Sequence, residues 1–202
     1  MKKQQSNLEN EQRRDLTIRQ MAVRSKSIDE KDRSFEAVVA TDAPAAVFDY
    51  RNWEIIDEVL ISRGGEFPDQ VPLLPNHRRY DVLDVIGSAT NFRMEDGQWI
   101  GRGQVAKPAN ANDDVEIIWR RVADGHIRAV SIGYELLNYV DIPAGKKQMV
   151  AGKEYVAGEK KLRITTNWRV HEVSLTPIGA DSKALIRSQE GVPPKKNRSY
   201  FR

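Results

Sequence analysis

From Ser34 onward the chain reads as a series of strand-like runs. In SFEAVVATD, Phe35, Ala37 and Val39 alternate with Glu36 and Val38, the period of two expected of a half-buried strand. AVFDYRNW and EIIDEVLIS follow, separated by Asp and Asn turn residues, and RGGEFPDQVPLLP, with Gly64-Gly65 and three prolines, breaks any regular element. The runs VLDVIGSATNFRM and QWIGRGQVA flank Glu95-Asp96-Gly97. Asp-Gly accepts positive φ at both central positions of a tight turn, so these runs predict a β-hairpin. In NANDDVEIIWRRVADGHI the period changes: Val115, Ile118, Trp119 and Val122 fall on one face of a helix, with Asn110 or Asn112 as N-cap and Gly125 as the stop. IRAVSIGYELLNYV returns to a strand pattern, residues 141–161 read as an exposed hairpin or flap rich in Gly and Lys, and RITTNWRVHEVSLTPI alternates with many β-branched residues. ADSKALIRS predicts a short closing helix. The sum is mainly β in an α+β arrangement: an antiparallel, β-barrel-like core with one or two packed helices.

The ends differ from this body. Residues 1–33 are polar, with only Leu16–Val23 suited to a helical turn or two, and read as a flexible leader; 34–187 is the folded body, and 188–202 a basic tail rich in Pro and Lys. The net charge of +3 over 202 residues is unevenly placed: residues 1–34 and 188–202 carry +3 each, leaving −3 on the body. Basicity confined to the ends gives the body no footprint for phosphate, and Trp53, Trp99, Trp119 and Trp168 fall on separate elements instead of forming a stacking stripe, so nucleic acid is not an expected partner. No apolar run approaches the ~18 residues of a membrane span, and the first twenty residues lack the apolar stretch of a secretory signal, which places the protein in a cytoplasm. The absence of Cys excludes disulfides, thiolate metal sites and cysteine nucleophiles. His77, His126 and His171 are scattered, and Asp113-Asp114 reads as acidity in the first turn of a helix, so neither a metal nor a cofactor is expected. GRGQ at 101–104 follows a strand without opening a helix and makes no phosphate loop.

What chemistry remains centres on Ser131 in AVSIGYE. A serine nucleophile needs a base to take its proton and a third group to orient that base. His77, in LPNHRR directly after the Pro-rich loop, stands where a loop-borne base would sit. His126, beside Gly125 at the helix end, is accounted for by the helix dipole. His171 and Glu172 are neighbours in a predicted strand and must point to opposite faces: Val170, Glu172, Ser174 and Thr176 on one, His171, Val173 and Leu175 on the other. Alternation does not say which face meets the base.

The order His77, Ser131, VHEVSLTPIGADSKA resembles the prohead maturation proteases of tailed phages, serine peptidases related to herpesvirus assemblin. SFEAVVATD, LLPNHRR with the strand ending at Gly87, the helix leading into AVSIGYE, and WRVHEVSLTPIGADSKALIR carry the likeness over roughly residues 34–187. It implies an assemblin-like fold, His77 as general base and Ser131 as nucleophile. It also implies an acidic third member immediately before the V-x-L segment, which is Glu172, with His171, one residue out of register, as the alternative. The basic pair of the herpes enzymes' oxyanion site is not evident in TPIGADSKA, leaving backbone N–H groups near Ile178–Ala180, or a water, as candidates. The implied activity is endopeptidase cleavage of scaffold protein, major capsid protein precursor and the chain itself, without a cofactor, inside the immature capsid in the host cytoplasm; assemblin relatives suggest a homodimer. Two other classes compete: a non-catalytic capsid- or scaffold-associated protein of the same fold, and a basic-tailed nucleic-acid-binding barrel.

Overall fold

A computed structural model describes residues 17–177, with side chains described from Ser27 onward. The expected closing helix at 180–188, the tail at 188–202 and the backbone donors near 178–180 lie outside the described residues. Among those described are twelve strands and one α-helix: β1 (Thr17–Asp29), β2 (Ser34–Ala40), β3 (Ala45–Asp49), β4 (Glu54–Leu60), β5 (Gly65–Glu66), β6 (Gln70–Pro75), β7 (Gly87–Glu95), β8 (Gln98–Val105), α1 (Asp114–Ala123), β9 (Ala129–Ile142), β10 (Lys147–Val150), β11 (Lys153–Val156) and β12 (Leu162–Thr176).

Local sequence explains several of these directly. Phe35, Ala37 and Val39 of β2 are buried in the main core. Gly101 and Gly103 of β8 leave room for aromatic rings: a Cβ would lie 2.7 Å from the Phe92 ring at the first and 2.4 Å from the Phe35 ring at the second. The β7–β8 hairpin turns through Asp96 and Gly97 with φ of 48° and 77°, the positive pair that Asp-Gly supplies. Helix α1 begins at Asp113, whose carboxylate accepts the Val115 N–H at 3.0 Å, so Asp113 is the N-cap in place of Asn110 or Asn112. Trp119 and Val122 point from the helix into the core, and Gly125 ends it at φ 75°.

The strands form one ten-stranded sheet in the order β3-β4-β12-β6-β7-β8-β2-β1-β9, with β5 attached to β12 and a further pairing between β12 and β9; β10 and β11 make a separate hairpin. This corrects the expected antiparallel, barrel-like, assemblin-like core, while the one α-helix among the described residues falls within the one or two expected. The sheet is mixed, because β12 runs parallel to β4, β5 and β6, and only α1 packs on it among the described residues. Parallel neighbours are joined by long excursions, and no pattern within either strand announces them. Thr17–Asp29 corrects a second expectation, since a strand stands where a leader with a helical turn was read. β1 pairs with β2 on one side and β9 on the other, so tertiary pairing overrides its polar composition.

β12 is the axis of the molecule. It pairs along most of its length with β9, and Trp168, Val170, Val173 and Leu175 lie in the main core. At its other end Leu162 and Ile164 join a smaller core with Val59, Ile142, Val150 and Ala157 beneath the β10–β11 hairpin.

Candidate active site

The site is built where β6 stops. β6 runs parallel to β12 with Leu73, Leu74 and Pro75 beside Val173, Ser174 and Leu175. After Pro75 the chain turns sharply: Asn76 and His77 have φ of 49° and 61°, Asn76 N–H donates to the Leu175 carbonyl at 2.8 Å, and Arg78 N–H returns to the Pro75 carbonyl at 3.0 Å. A non-glycine residue in this region costs about 1 kcal/mol or more, and persists only when its surroundings hold it. Two bonds hold His77 and a third ties their partners together. Its backbone N–H donates to Ser174 Oγ at 3.1 Å, Ser174 Oγ–H donates to Glu172 Oε2 at 2.6 Å, and His77 Nδ1 meets Glu172 Oε1 at 2.6 Å. Backbone, hydroxyl, carboxylate and imidazole thus form a closed ring of hydrogen bonds. The Glu172 side chain is 3% exposed, so burial strengthens its hold on the imidazole.

β9 brings Ser131 to the same face. Ser131 pairs with Ser174 and Gly133 with Glu172, and directly opposed residues of antiparallel strands present their side chains on one side of the sheet. Gly133 tests this arrangement: a Cβ there would stand 2.3 Å from Glu172 Oε1, so the carboxylate lies over the bare backbone of β9. The S-I-G-Y segment therefore supplies a hydroxyl at Ser131 and, two residues on, the space that the acid occupies. Ser131 is fully buried. Assigning the Nδ1 proton to the bond with Glu172 leaves the lone pair on Nε2, and that atom is buried with no hydrogen-bond partner. Thr176 Oγ1 shares this condition. A buried polar atom left unpaired costs about 1–3 kcal/mol, and active sites are one place where such a cost persists.

The structure thus brings His77 and Glu172 into contact and sets Ser131 on their face, one strand away. His171, the extra residue where the β9–β12 register shifts between Val170 and Glu172, meets Glu135 instead of His77, its Nε2 3.2 Å from Glu135 Oε2, and His126 is exposed beyond α1. Ser174 and Gly133 were invisible as site residues in the sequence, although period-two alternation already placed Ser174 on the Glu172 side. The hairpin in 141–161 adjoins the ends of β9 and β12 farthest from Ser131, roughly 35 Å away at ~3.3 Å per residue, and does not cover this site. Beside the His77 turn a cleft of about 520 Å³ opens towards α1, lined in part by Pro75, Arg78, Leu83, Ile86, Ile118 and Arg121.

Elsewhere the buried Arg163 and Asp49 have structural partners. Arg163 binds Asp49 at 2.9 Å and Asp141 at 2.8 Å. Burial opposes ionisation of Asp49, but bonds from Asn52 and the Arg51 backbone and the Arg163 charge outweigh it and hold the carboxyl well below the usual range. Among the described residues no group of three or more His, Cys, Asp and Glu could hold a metal, and no helix is long and apolar enough to cross a membrane.

No protein-family model matches the chain, and no solved structure matches it. It is 21% identical over 167 residues to the capsid polyprotein of Pseudomonas phage PAJU2, a match that covers 83% of this chain and 21% of that protein. The chain therefore spans about a fifth of the length of this curated relative. At that level the chain is phage-capsid-related.

Proposed function

We propose that the chain is a serine endopeptidase of phage capsid maturation, cutting scaffold protein, major capsid protein precursor and itself inside the immature capsid. The observation that carries this reading is the 2.6 Å contact between His77 Nδ1 and Glu172, on the face that Ser131 shares. Likeness to a capsid polyprotein supports the biological setting.

In this reading His77 Nε2 takes the proton of Ser131 as Oγ attacks a peptide carbonyl. Glu172 fixes the tautomer and stabilises the imidazolium that forms. Collapse of the tetrahedral species breaks the C–N bond, and His77 passes its proton to the leaving amine. Water, deprotonated by the same imidazole, then hydrolyses the acyl-enzyme. A non-catalytic capsid-associated protein is the competing reading, favoured by the complete burial of Ser131. Intact-mass analysis separates the two: wild type and Ser131→Ala are each incubated alone and with the scaffold or capsid precursor encoded beside them. Shortening of chain or precursor by wild type alone supports the peptidase. Identical, uncut masses in both favour the non-catalytic protein.

A further inference from the structure

We propose that Thr176 is the oxyanion donor of this site: its hydroxyl hydrogen-bonds the oxygen that becomes negative when Ser131 attacks a peptide carbonyl. The proposal rests on the serine-peptidase reading and assigns a role that neither the sequence pattern nor the likeness to a capsid protein supplies.

Three observations converge on it. Thr176 follows Ser174 by two residues on β12, so it lies on the face that carries Glu172, Ser174 and Ser131. In the β9–β12 register Thr176 opposes Ala129 while Ser131 opposes Ser174, which makes Thr176 and Ser131 diagonal neighbours across the ladder. Diagonal residues stand about 7–8 Å apart at the backbone and closer at Cβ, a gap that a carbonyl carbon bonded to one side chain and its oxygen bonded to the other can fill. Thr176 is 1% exposed, yet its hydroxyl has no hydrogen-bond partner. Across from it the other unpaired buried side-chain atom among the described residues, His77 Nε2, belongs to the turn that the Asn76–Leu175 bond ties to the residue before Thr176. One group unites both vacant valences with Ser131: a peptide unit whose carbon faces Ser131, whose oxygen faces Thr176 and whose nitrogen faces His77.

The chemistry balances. The Ser131 Oγ–C bond forms as the Oγ proton moves to His77 Nε2, and the carbonyl π pair moves onto oxygen, which accepts the Thr176 Oγ1–H. Return of that pair reforms C=O, breaks C–N, and the proton on Nε2 leaves with the amine. The donor serves in the transition state because it is already placed and desolvated, so no water must be reorganised as charge develops.

The test uses the full chain and an alkyl fluorophosphonate, whose phosphoryl oxygen mimics the oxyanion while Ser131 displaces fluoride. Labelling rates are followed by intact mass in wild type, Thr176→Val, Thr176→Ser and Ser131→Ala, with urea midpoints measured alongside. The expected result is labelling of wild type at Ser131, Thr176→Ser within about threefold of it, and Thr176→Val slower by about 10²-fold. Val has the shape of Thr without the unpaired hydroxyl, so the urea midpoint of Thr176→Val should equal or exceed wild type. Labelling of Thr176→Val at the wild-type rate overturns the donor role and leaves the peptidase reading intact. A clear loss of stability in Thr176→Val also overturns it, because the hydroxyl then has a structural task. No labelling of wild type at Ser131 overturns the peptidase reading and this proposal with it.

Discussion

Gly133→Ala tests the site at its tightest point. Gly133 lies in a regular strand without positive φ, and there Gly is ordinarily about 0.5–1 kcal/mol worse than Ala, so on backbone grounds the substitution should stabilise. Packing reverses the sign. The new methyl would sit 2.3 Å from Glu172 Oε1 and 3.0 Å from Cδ and Cγ, where ordinary contact begins at 3.4 Å. Glu172 must retreat by about 1 Å, which carries its 2.6 Å contact with His77 to the limit of a hydrogen bond. Overpacking costs about 1–3 kcal/mol and a lost charge-assisted bond about 1.5–3 kcal/mol. Net of the backbone gain, the loss is about 2–5 kcal/mol, and a 1 Å misplacement of the orienting acid should slow labelling of Ser131 by about 10²-fold. Urea unfolding followed by tryptophan fluorescence gives the first figure, and fluorophosphonate labelling the second. A double-mutant cycle isolates the cause: Gly133→Ala should add little destabilisation to Glu172→Ala, since the clash needs both groups. Gly133→Ala protein as stable and as reactive as wild type would refute the placement of the carboxylate over β9.

Other expectations follow from neighbouring groups. Ser131→Ala should keep the wild-type urea midpoint within about 1 kcal/mol and give no self-shortening or labelling, read by intact mass. Glu172→Gln preserves shape but not charge, and should slow labelling by about 10²–10⁴-fold without unfolding the chain. His171→Ala should label within about threefold of wild type, because His171 pairs with Glu135 and Glu172 is the group that meets His77; a loss comparable to Glu172→Gln would make His171 the orienting group. Asp49, whose carboxyl ionises below its ordinary 3.8, contributes stability that is fully present above that value and lost as pH falls through its folded one. Urea midpoints of wild type should therefore fall below about pH 4, and Asp49→Asn should flatten that acid limb while lowering stability at neutral pH.

Much of the local structure is legible in the sequence because it rests on local chemistry. Asp96-Gly97 fixes one hairpin, the Val115–Val122 period fixes α1, and Phe35, Ala37 and Val39 declare the inner face of β2. What was not legible is what distant segments supply. β1 is a strand because β2 and β9 hydrogen-bond to both of its edges, and nothing in TIRQMAVRSKSID states that. The parallel partners of β12 lie 100 to 105 residues upstream, beyond any pattern within it. The same holds at the site. Alternation grouped Val170 with Glu172 and set His171 opposite, but the register shift between Val170 and Glu172 breaks that period, and the residue that meets His77 is set by the β6 register and the Asn76–His77 turn. Gly133 carried no signal, since its reason for being Gly is a side chain 39 residues away.

The central place of β12 has a consequence for the order of events during synthesis. The strand that holds Glu172 and Ser174 is the last element described, and it joins β4, β5, β6 and β9, all made before it. Until the ribosome has delivered residue 176, the nascent chain owns His77 and Ser131 but not the strand that sets them on a common face. Any hydrolytic competence is therefore switched on by completion of the sheet, a high-contact-order event that comes late and slowly. On the peptidase reading, a site built in this way is incomplete until β12 has joined the sheet.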